Sequence, residues 1–222
     1  MPPIPPSRLI VVPTERERRV ISAGLAAIAR HGDRVELCGF GLVAAAARTA
    51  SLIAALEPTE VMLVGIAGGI ASQAVPGTAW LFDRVACHGV GVGTGAAFVP
   101  AGTLGWRHWE GDPPGVDVTV GDVIDVPSPA DGVRLPGTLL SVCAAAAGPD
   151  DVAERLRLFP DAAAEDMEGF SVAAAGRMAG VPVRIVRGIS NVAGDRDHRA
   201  WRIDEAAEAA ASLAARLLAG DP

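Results

Sequence analysis

Residues 61–70 read Val61-Met62-Leu63-Val64-Gly65-Ile66-Ala67-Gly68-Gly69-Ile70. Four apolar side chains in a row, closed off by glycine, are the pattern of a strand covered on both faces, as in a parallel sheet. The glycine run predicts a turn at the strand's carboxyl end. In an open α/β sheet that end is where ligands bind, and Gly68-Gly69 would let backbone amides approach one closely. The same glycines would also serve a plain tight turn.

The flanking segments extend the same alternation. Arg8 to Val12 (RLIVV) reads as a buried strand, Pro13-Thr14 as a turn, and the charged run Glu15 to Arg19 as the start of a helix reaching about Arg30. A strand over Arg34 to Cys38 and an alanine-rich helix over Leu42 to Leu56 follow. Downstream, strands are expected near Thr78 to Val85, Val116 to Val120 and Thr138 to Val142, in a region where the sheet bends or closes with mixed strands. Glycine and proline between His88 and Pro114 predict a long loop. Helices are expected over Asp150 to Leu158 and Met167 to Ala179, the latter stopped by Gly180 and Pro182, with a last strand over Pro182 to Arg187. Ile203, Ala206, Ala210, Leu213 and Leu217 recur at helical spacing, so Ile203 to Ala219 is an amphipathic helix expected to cover the sheet. No repeat, linker or second core is visible, and residues 1–222 read as one α/β domain.

Composition removes whole mechanisms. All 19 basic residues are arginine, with no lysine and no tyrosine among 222 residues. A phosphate-binding loop ending in Gly-Lys-Ser/Thr, a kinase site, Schiff-base chemistry and a Tyr-Lys hydride-transfer pair are therefore impossible. The net charge of 19 − 26 = −7 speaks against nucleic acid or an anionic membrane surface as partner and favours small molecules or proteins. Cys38, Cys87 and Cys143 are odd in number and unpaired in spacing, which points to a reducing cytoplasm. His31, His88, His108 and His198 show no metal-ligand spacing, so no metal site is expected. No signal peptide is legible in MPPIPPSR, and the uncharged run Val61 to Phe82 is broken by five Gly or Pro residues, which makes it strand, turn and strand rather than a membrane span.

Several clusters carry polar chemistry. Gly91 to Ala96 (GVGTGA) formally fits a dinucleotide fingerprint, but no helix pattern and no suitably spaced acid follow, so it reads as a surface loop. In Ala164-Glu165-Asp166-Met167-Glu168-Gly169, helix capping accounts for Glu165 and Asp166. Glu168 lies further in, before Phe170, Val172 and Ala173, and faces a partly buried site where one carboxylate can accept two hydrogen bonds from a sugar diol. Asn191, at the end of Arg187-Gly188-Ile189-Ser190-Asn191, offers a donor and an acceptor that complement an oxo-purine edge, or else makes an Asx turn. Asp195, Arg196 and Asp197 read as a surface ion-pair cluster. In Thr14-Glu15-Arg16-Glu17 a carboxylate stands where it can activate water, or simply solvates a helix start. A Ser-His-Asp hydrolase lacks its G-x-S-x-G.

The glycine-rich turn, Met-Glu before a helix and R-x-I-S-(D/N) after the next strand, in this order and spacing, resemble the nucleoside phosphorylase and nucleosidase superfamily. Within it, AEDMEGFSVA (164–173) followed by GVPVRIVRGISNVAGDRDHRAW (180–201) resembles the futalosine hydrolase family, nucleosidases of the alternative menaquinone route. The resemblance covers most of the chain except about Gly89 to Gly132. It implies a three-layer α/β/α nucleoside phosphorylase-like fold with a central mixed sheet, hydrolysis of a purine nucleoside, no cofactor, and a homo-oligomer with sites near subunit contacts. It also assigns roles. Glu17 matches the acid that orients and deprotonates water, Met167 and Glu168 the pair that packs on ribose and binds its hydroxyls, and Arg187 the arginine near the nucleophile. Asn191 matches the base-recognition position, and Ala67 and Gly68 lie in the turn lining base and ribose.

Two departures sharpen this. Adenine-releasing relatives have aspartate at Asn191, whereas an asparagine suits hypoxanthine, accepting from the protonated ring nitrogen and donating to the six-oxo group. Ile66 stands where many relatives have a phosphate-holding serine, and the glycine-arginine phosphate loop is missing, so water is the expected nucleophile. Arg107, His108 and Arg134 are candidates for the benzoate tail of futalosine, each also readable as a surface residue, and Phe98 is the candidate aromatic partner of the base.

Overall fold

The computed structural model describes residues 7–30, 32–111, 118–126 and 133–220. In chain order they form β1 (Arg8–Val12), α1 (Glu15–Leu25), β2 (Arg34–Leu37), α2 (Leu42–Leu56), β3 (Glu60–Gly69), β4 (Ala79–Phe82), β5 (Arg84–His88), β6 (Gly91–Val92), β7 (Val99–Pro100), β8 (Val123–Asp125), β9 (Thr138–Val142), α3 (Pro149–Leu158), β10 (Ala162–Asp166), α4 (Gly169–Ala179), β11 (Val183–Val192) and α5 (Ile203–Ala219). Nine strands make one mixed sheet, and β6 and β7 form a separate hairpin.

Alternation along the central strands builds the layers. Leu9, Val11, Val61, Leu63 and Ile185 pack on the face carrying Ala45, Leu52 and Ile53 of α2 and Phe170, Val172 and Ala173 of α4. Ile10, Val12, Met62, Val64 and Val186 face the other way, onto Ile21 and Leu25 of α1 and Ala210, Leu213, Ala214 and Leu217 of α5. The result is the expected three-layer α/β/α arrangement, with helices on both faces of a mixed sheet. The α5 boundaries coincide with those expected from its apolar spacing.

Strand β3 organises the sheet. It runs parallel to β11 along its whole length, from Val183↔Val61 to Val192↔Gly69. Its other edge pairs in parallel with β1 over Arg8↔Glu60 to Val11↔Leu63, then antiparallel with β10 at Glu165↔Gly68 and Ala164↔Gly69. Because β1 ends where β10 begins, a crevice opens between them, beside Gly65, Ile66 and Ala67.

Several expectations need correction. Gly65 to Ile70 is not a turn: β3 continues through Gly69, because β10 and β11 supply ladder partners on both edges. The helix expected from Met167 starts at Gly169, and Ala162–Asp166 is a strand buried throughout. Glu165 caps no helix, since it faces Arg155 and the Ala146 amide, whereas Asp166, although in the strand, still accepts from the amide of Gly169, the first residue of α4. The last strand runs on to Val192, which carries Asn191 in the sheet rather than in an Asx turn. Thr78 to Val85 is two strands separated at Asp83, and α1 closes at Leu25, where the Ala26 N–H bonds Ala23 and tightens the last turn. Residues 116–117 of the strand expected over Val116 to Val120, and His31, lie outside the described residues; Val120 bridges Trp109.

Candidate active site

Glu17 is positioned by its own helix start. Thr14 is the N-cap of α1, and its hydroxyl lies 3.4 Å from the Glu17 amide, which donates to it. The Thr14 hydroxyl in turn donates to Glu17 Oε2 at 2.5 Å, and the Ile66 amide donates to Oε1 at 3.0 Å. A carboxylate that would otherwise solvate the helix end is thus turned inward and 4% exposed.

Arg187, in the middle of β11, is completely buried. Its Nε donates to Asp166 Oδ2 at 3.0 Å, its Nη2 donates to the same oxygen, and Nη2 also reaches Glu168 Oε2 at 3.1 Å. Asp166 is fixed further by the Ser141 hydroxyl at 2.5 Å and the Gly169 amide at 2.8 Å. Glu168 Oε1 accepts from the Gly41 amide at 3.0 Å. Burial would depress the Arg187 guanidinium, but Asp166, Glu168 and Glu17 around it hold it well above its ordinary range. Burial pushes the Glu168 carboxyl up to about 7; Arg187 and the Gly41 N–H oppose the rise, while Asp166 and Glu17 add to it.

Glu17, Ala67, Gly68, Met167, Glu168 and Asn191 all line one cavity of about 280 Å³. Arg187 stands behind its wall, touching the cavity only through Asp166 and Glu168. At Asn191 the sheet register shifts between Ile189 and Asn191, a bulge at Ser190. The Ser190 hydroxyl donates to Asn191 Oδ1 at 2.8 Å, and Asn191 Nδ2 donates to the Val192 carbonyl at 2.8 Å. Each amide atom keeps one further hydrogen-bonding position.

Asp166 and Glu165 were read as helix caps, yet both are buried in the cavity wall. The usable signal was the apolar run Ala162–Ala164 before them, which places two acids at the carboxyl end of a covered segment. Phe98 does not line the cavity; it packs against His88, with ring centroids 5.4 Å apart. The aromatic rings at the cavity are Phe40, 64% exposed, and Trp201, whose ring lies 4.3 Å from that of His198 at a tilt of 35°. Arg107, His108 and Arg134 are absent from its lining: His108 Nε2 lies 2.9 Å from Asp122 and Arg134 lies 3.3 Å from Asp83. The arginines at the rim are Arg16, paired with Asp204 at 2.8 Å, and Arg196, 5.2 Å from the Trp201 ring centre.

Burial pushes the Cys38 and Cys87 thiols up to about 12, so neither supplies a thiolate nucleophile at neutral pH. Among the described residues no group of three His, Cys, Asp or Glu side chains is arranged to hold a metal ion, and no helix is long and apolar enough to cross a membrane. What the arrangement offers is a fixed carboxylate, a second carboxylate with a readily moved proton, and an amide within one small cavity.

Residues 11–220 match the model of the phosphorylase superfamily. The futalosine hydrolase of Streptomyces coelicolor is 37% identical over 160 residues, which is 71% of this chain and 64% of that protein's length. The futalosine hydrolase of Acidothermus cellulolyticus is 33% identical over 210 residues, covering 88% of this chain and 84% of that protein. The 5′-methylthioadenosine/S-adenosylhomocysteine nucleosidase of Neisseria meningitidis, crystallised with methylthio-immucillin-A, has the same fold: TM-score 0.76 at 19% identity, covering 96% of this chain and 99% of that one. The chain belongs to the phosphorylase superfamily and, within it, to the futalosine hydrolase family.

Proposed function

We propose that this protein hydrolyses the N-glycosidic bond of futalosine, releasing hypoxanthine and dehypoxanthine futalosine, as a step of menaquinone biosynthesis. The observation that carries the choice of water over phosphate is the charge around Arg187. This guanidinium is buried against Asp166 and Glu168, with Glu17 beside it. Beside Arg187 an incoming phosphate dianion would meet Glu17, Asp166 and Glu168, which already neutralise the guanidinium, whereas a neutral water meets an oriented base.

In this reading Glu17 takes a proton from the water whose oxygen attacks the anomeric carbon as the bond to the base nitrogen breaks. The transition state is oxocarbenium-like. Glu168 accepts from the ribose hydroxyls, Met167 packs on the sugar, and Ala67 and Gly68 line base and ribose. Arg187 holds Glu168 in place. Asn191 Oδ1 accepts from the imidazole nitrogen of the departing base, which takes its proton from solvent while Glu17 returns to solvent the one it removed from the attacking water, and Nδ2 donates to the six-oxo oxygen. Arg16 and Arg196 at the rim suit a substrate with an anionic tail. The assembly carried by the same reading is a homo-oligomer, its location the cytoplasm, and the fold a single domain needing no cofactor.

The second reading, a nucleosidase for aminodeoxyfutalosine, methylthioadenosine or adenosylhomocysteine, is disfavoured by the amide at Asn191. Incubation with futalosine, inosine and methylthioadenosine side by side, with and without phosphate, tests the proposal. Hypoxanthine release from futalosine without phosphate is expected. Formation of ribose phosphate, or exclusive release of adenine, would overturn it.

A further inference from the structure

We infer that Arg196 and Trp201 form the subsite for the far end of the substrate: the Arg196 guanidinium reads a carboxylate, and the Trp201 indole packs on the flat group that carries it. The inference rests on the proposed function and deepens it, by choosing between the two arginines at the cavity rim. Arg16 is already paired, its Nε and Nη2 donating to the two carboxylate oxygens of Asp204 at 2.8 and 3.0 Å. A bidentate pair of this kind leaves little charge for a ligand. Arg196 differs. Among the described residues no carboxylate stands within ion-pair distance of it, and its one hydrogen-bond contact is from Nη2 to His198 Nε2 at 3.4 Å. The other N–H donors of the guanidinium stay available to a ligand. Its sequence neighbours turn to the backbone instead: Asp195 Oδ1 accepts from the Asp197 amide at 2.9 Å, and Asp197 Oδ1 from the Arg199 amide at 3.1 Å.

These donors are reachable, because Arg196 is exposed and lines the same cavity as Glu17 and Glu168. The half-buried Trp201 ring fixes it there. Trp201 Nε1 donates to the Asp195 carbonyl at 3.1 Å, closing the connection between β11 and α5 on itself, and the Arg202 amide donates to the Ser190 carbonyl at 2.8 Å, tying that connection to the cavity end of β11. A cation held over an indole keeps its charge while it loses rotamer freedom, so less ordering is left for the ligand to impose. With Asp195 and Asp197 beside it in the chain, a single guanidinium suits a monoanion better than a dianion such as phosphate. The adjoining indole suits an aromatic carrier. The ligand class is therefore a nucleoside whose tail ends in an aryl carboxylate.

The test compares futalosine with its carboxamide, whose tail is uncharged and of the same shape, on the wild-type protein and on Arg196→Gln. The wild-type protein is expected to prefer the carboxylate by about tenfold or more in kcat/KM, mainly through KM, and Arg196→Gln to lose most of that preference. No preference in the wild-type protein, or one that survives in the folded variant, overturns the inference. Trp201→Leu is expected to raise KM for the carboxamide as well, by about threefold or more; an unchanged KM removes the indole from the subsite. Titration calorimetry with the same two ligands on Glu17→Gln protein reads the preference without turnover. Equal affinities there overturn the inference even if hypoxanthine release from futalosine is normal, whereas failure to release any purine base overturns the proposed function instead.

Discussion

The Arg187 guanidinium occupies the space directly over Gly65. A Cβ added there would collide with Nη1 and lie 2.8 Å from Glu17 Oε1. The absence of one methyl group is what lets a buried cation and the Glu17 carboxylate meet against β3.

Gly65→Ala is therefore expected to disturb both groups at once. Overpacking of this kind costs about 1–3 kcal/mol, read as a lowered midpoint in urea unfolding. Base release should fall with it. A variant with wild-type stability and turnover would show that the strand shifts without cost.

Glu17→Gln keeps the size of the side chain and an acceptor for the Ile66 amide, and its NH2 can donate to the Thr14 hydroxyl, but it removes the base. A drop of about 10²–10⁴ in kcat is expected, with KM and the circular dichroism spectrum little changed. Turnover within a few-fold of wild type would remove Glu17 from the proton transfer.

At the other end of the cavity, Asn191→Asp replaces a donor with an acceptor or an acid. The preference should move toward adenine nucleosides, measured as the ratio of adenine to hypoxanthine release from matched substrates. An unchanged ratio would mean that Asn191 does not face the imidazole side of the base.

Glu168 gives the pH dependence. Its carboxyl is raised from an ordinary value of 4.5 to about 7, so between these values the folded protein keeps a proton that the unfolded chain has lost. This group's contribution to stability is therefore expected to fall as pH rises from about 4.5 to about 7 and to level off above. Ionised Glu168 is the form that accepts from two ribose hydroxyls, so KM should fall as pH rises through about 7. Glu168→Gln should flatten both profiles; a variant that retains them would assign the titration to another group.

Most of the architecture was legible because it rests on local patterns. The apolar runs of β1 and β9 and the amphipathic spacing of α5 place these elements without reference to the rest of the chain. Strand β10 is only weakly marked in the sequence: beyond the short apolar run Ala162–Ala164, Ala162-Ala163-Ala164-Glu165-Asp166 has weak strand preference, and its acids imitate a helix start. It is a strand because the edges of β3 and β9 each offer it a ladder.

The candidate site divides in the same way. The order of Glu17, Met167-Glu168, Arg187 and Asn191 along the chain carries the family, and with it the kinds of group that can meet a nucleoside. Which acid neutralises Arg187, which way Glu17 turns and what flanks Gly68 were decided only by tertiary structure. Asp166 reaches Arg187 across 21 residues of sequence, and Ile66 reaches Glu17 across 49. A buried charge must find a partner wherever the fold brings one, and no periodicity records a partner that lies on another strand.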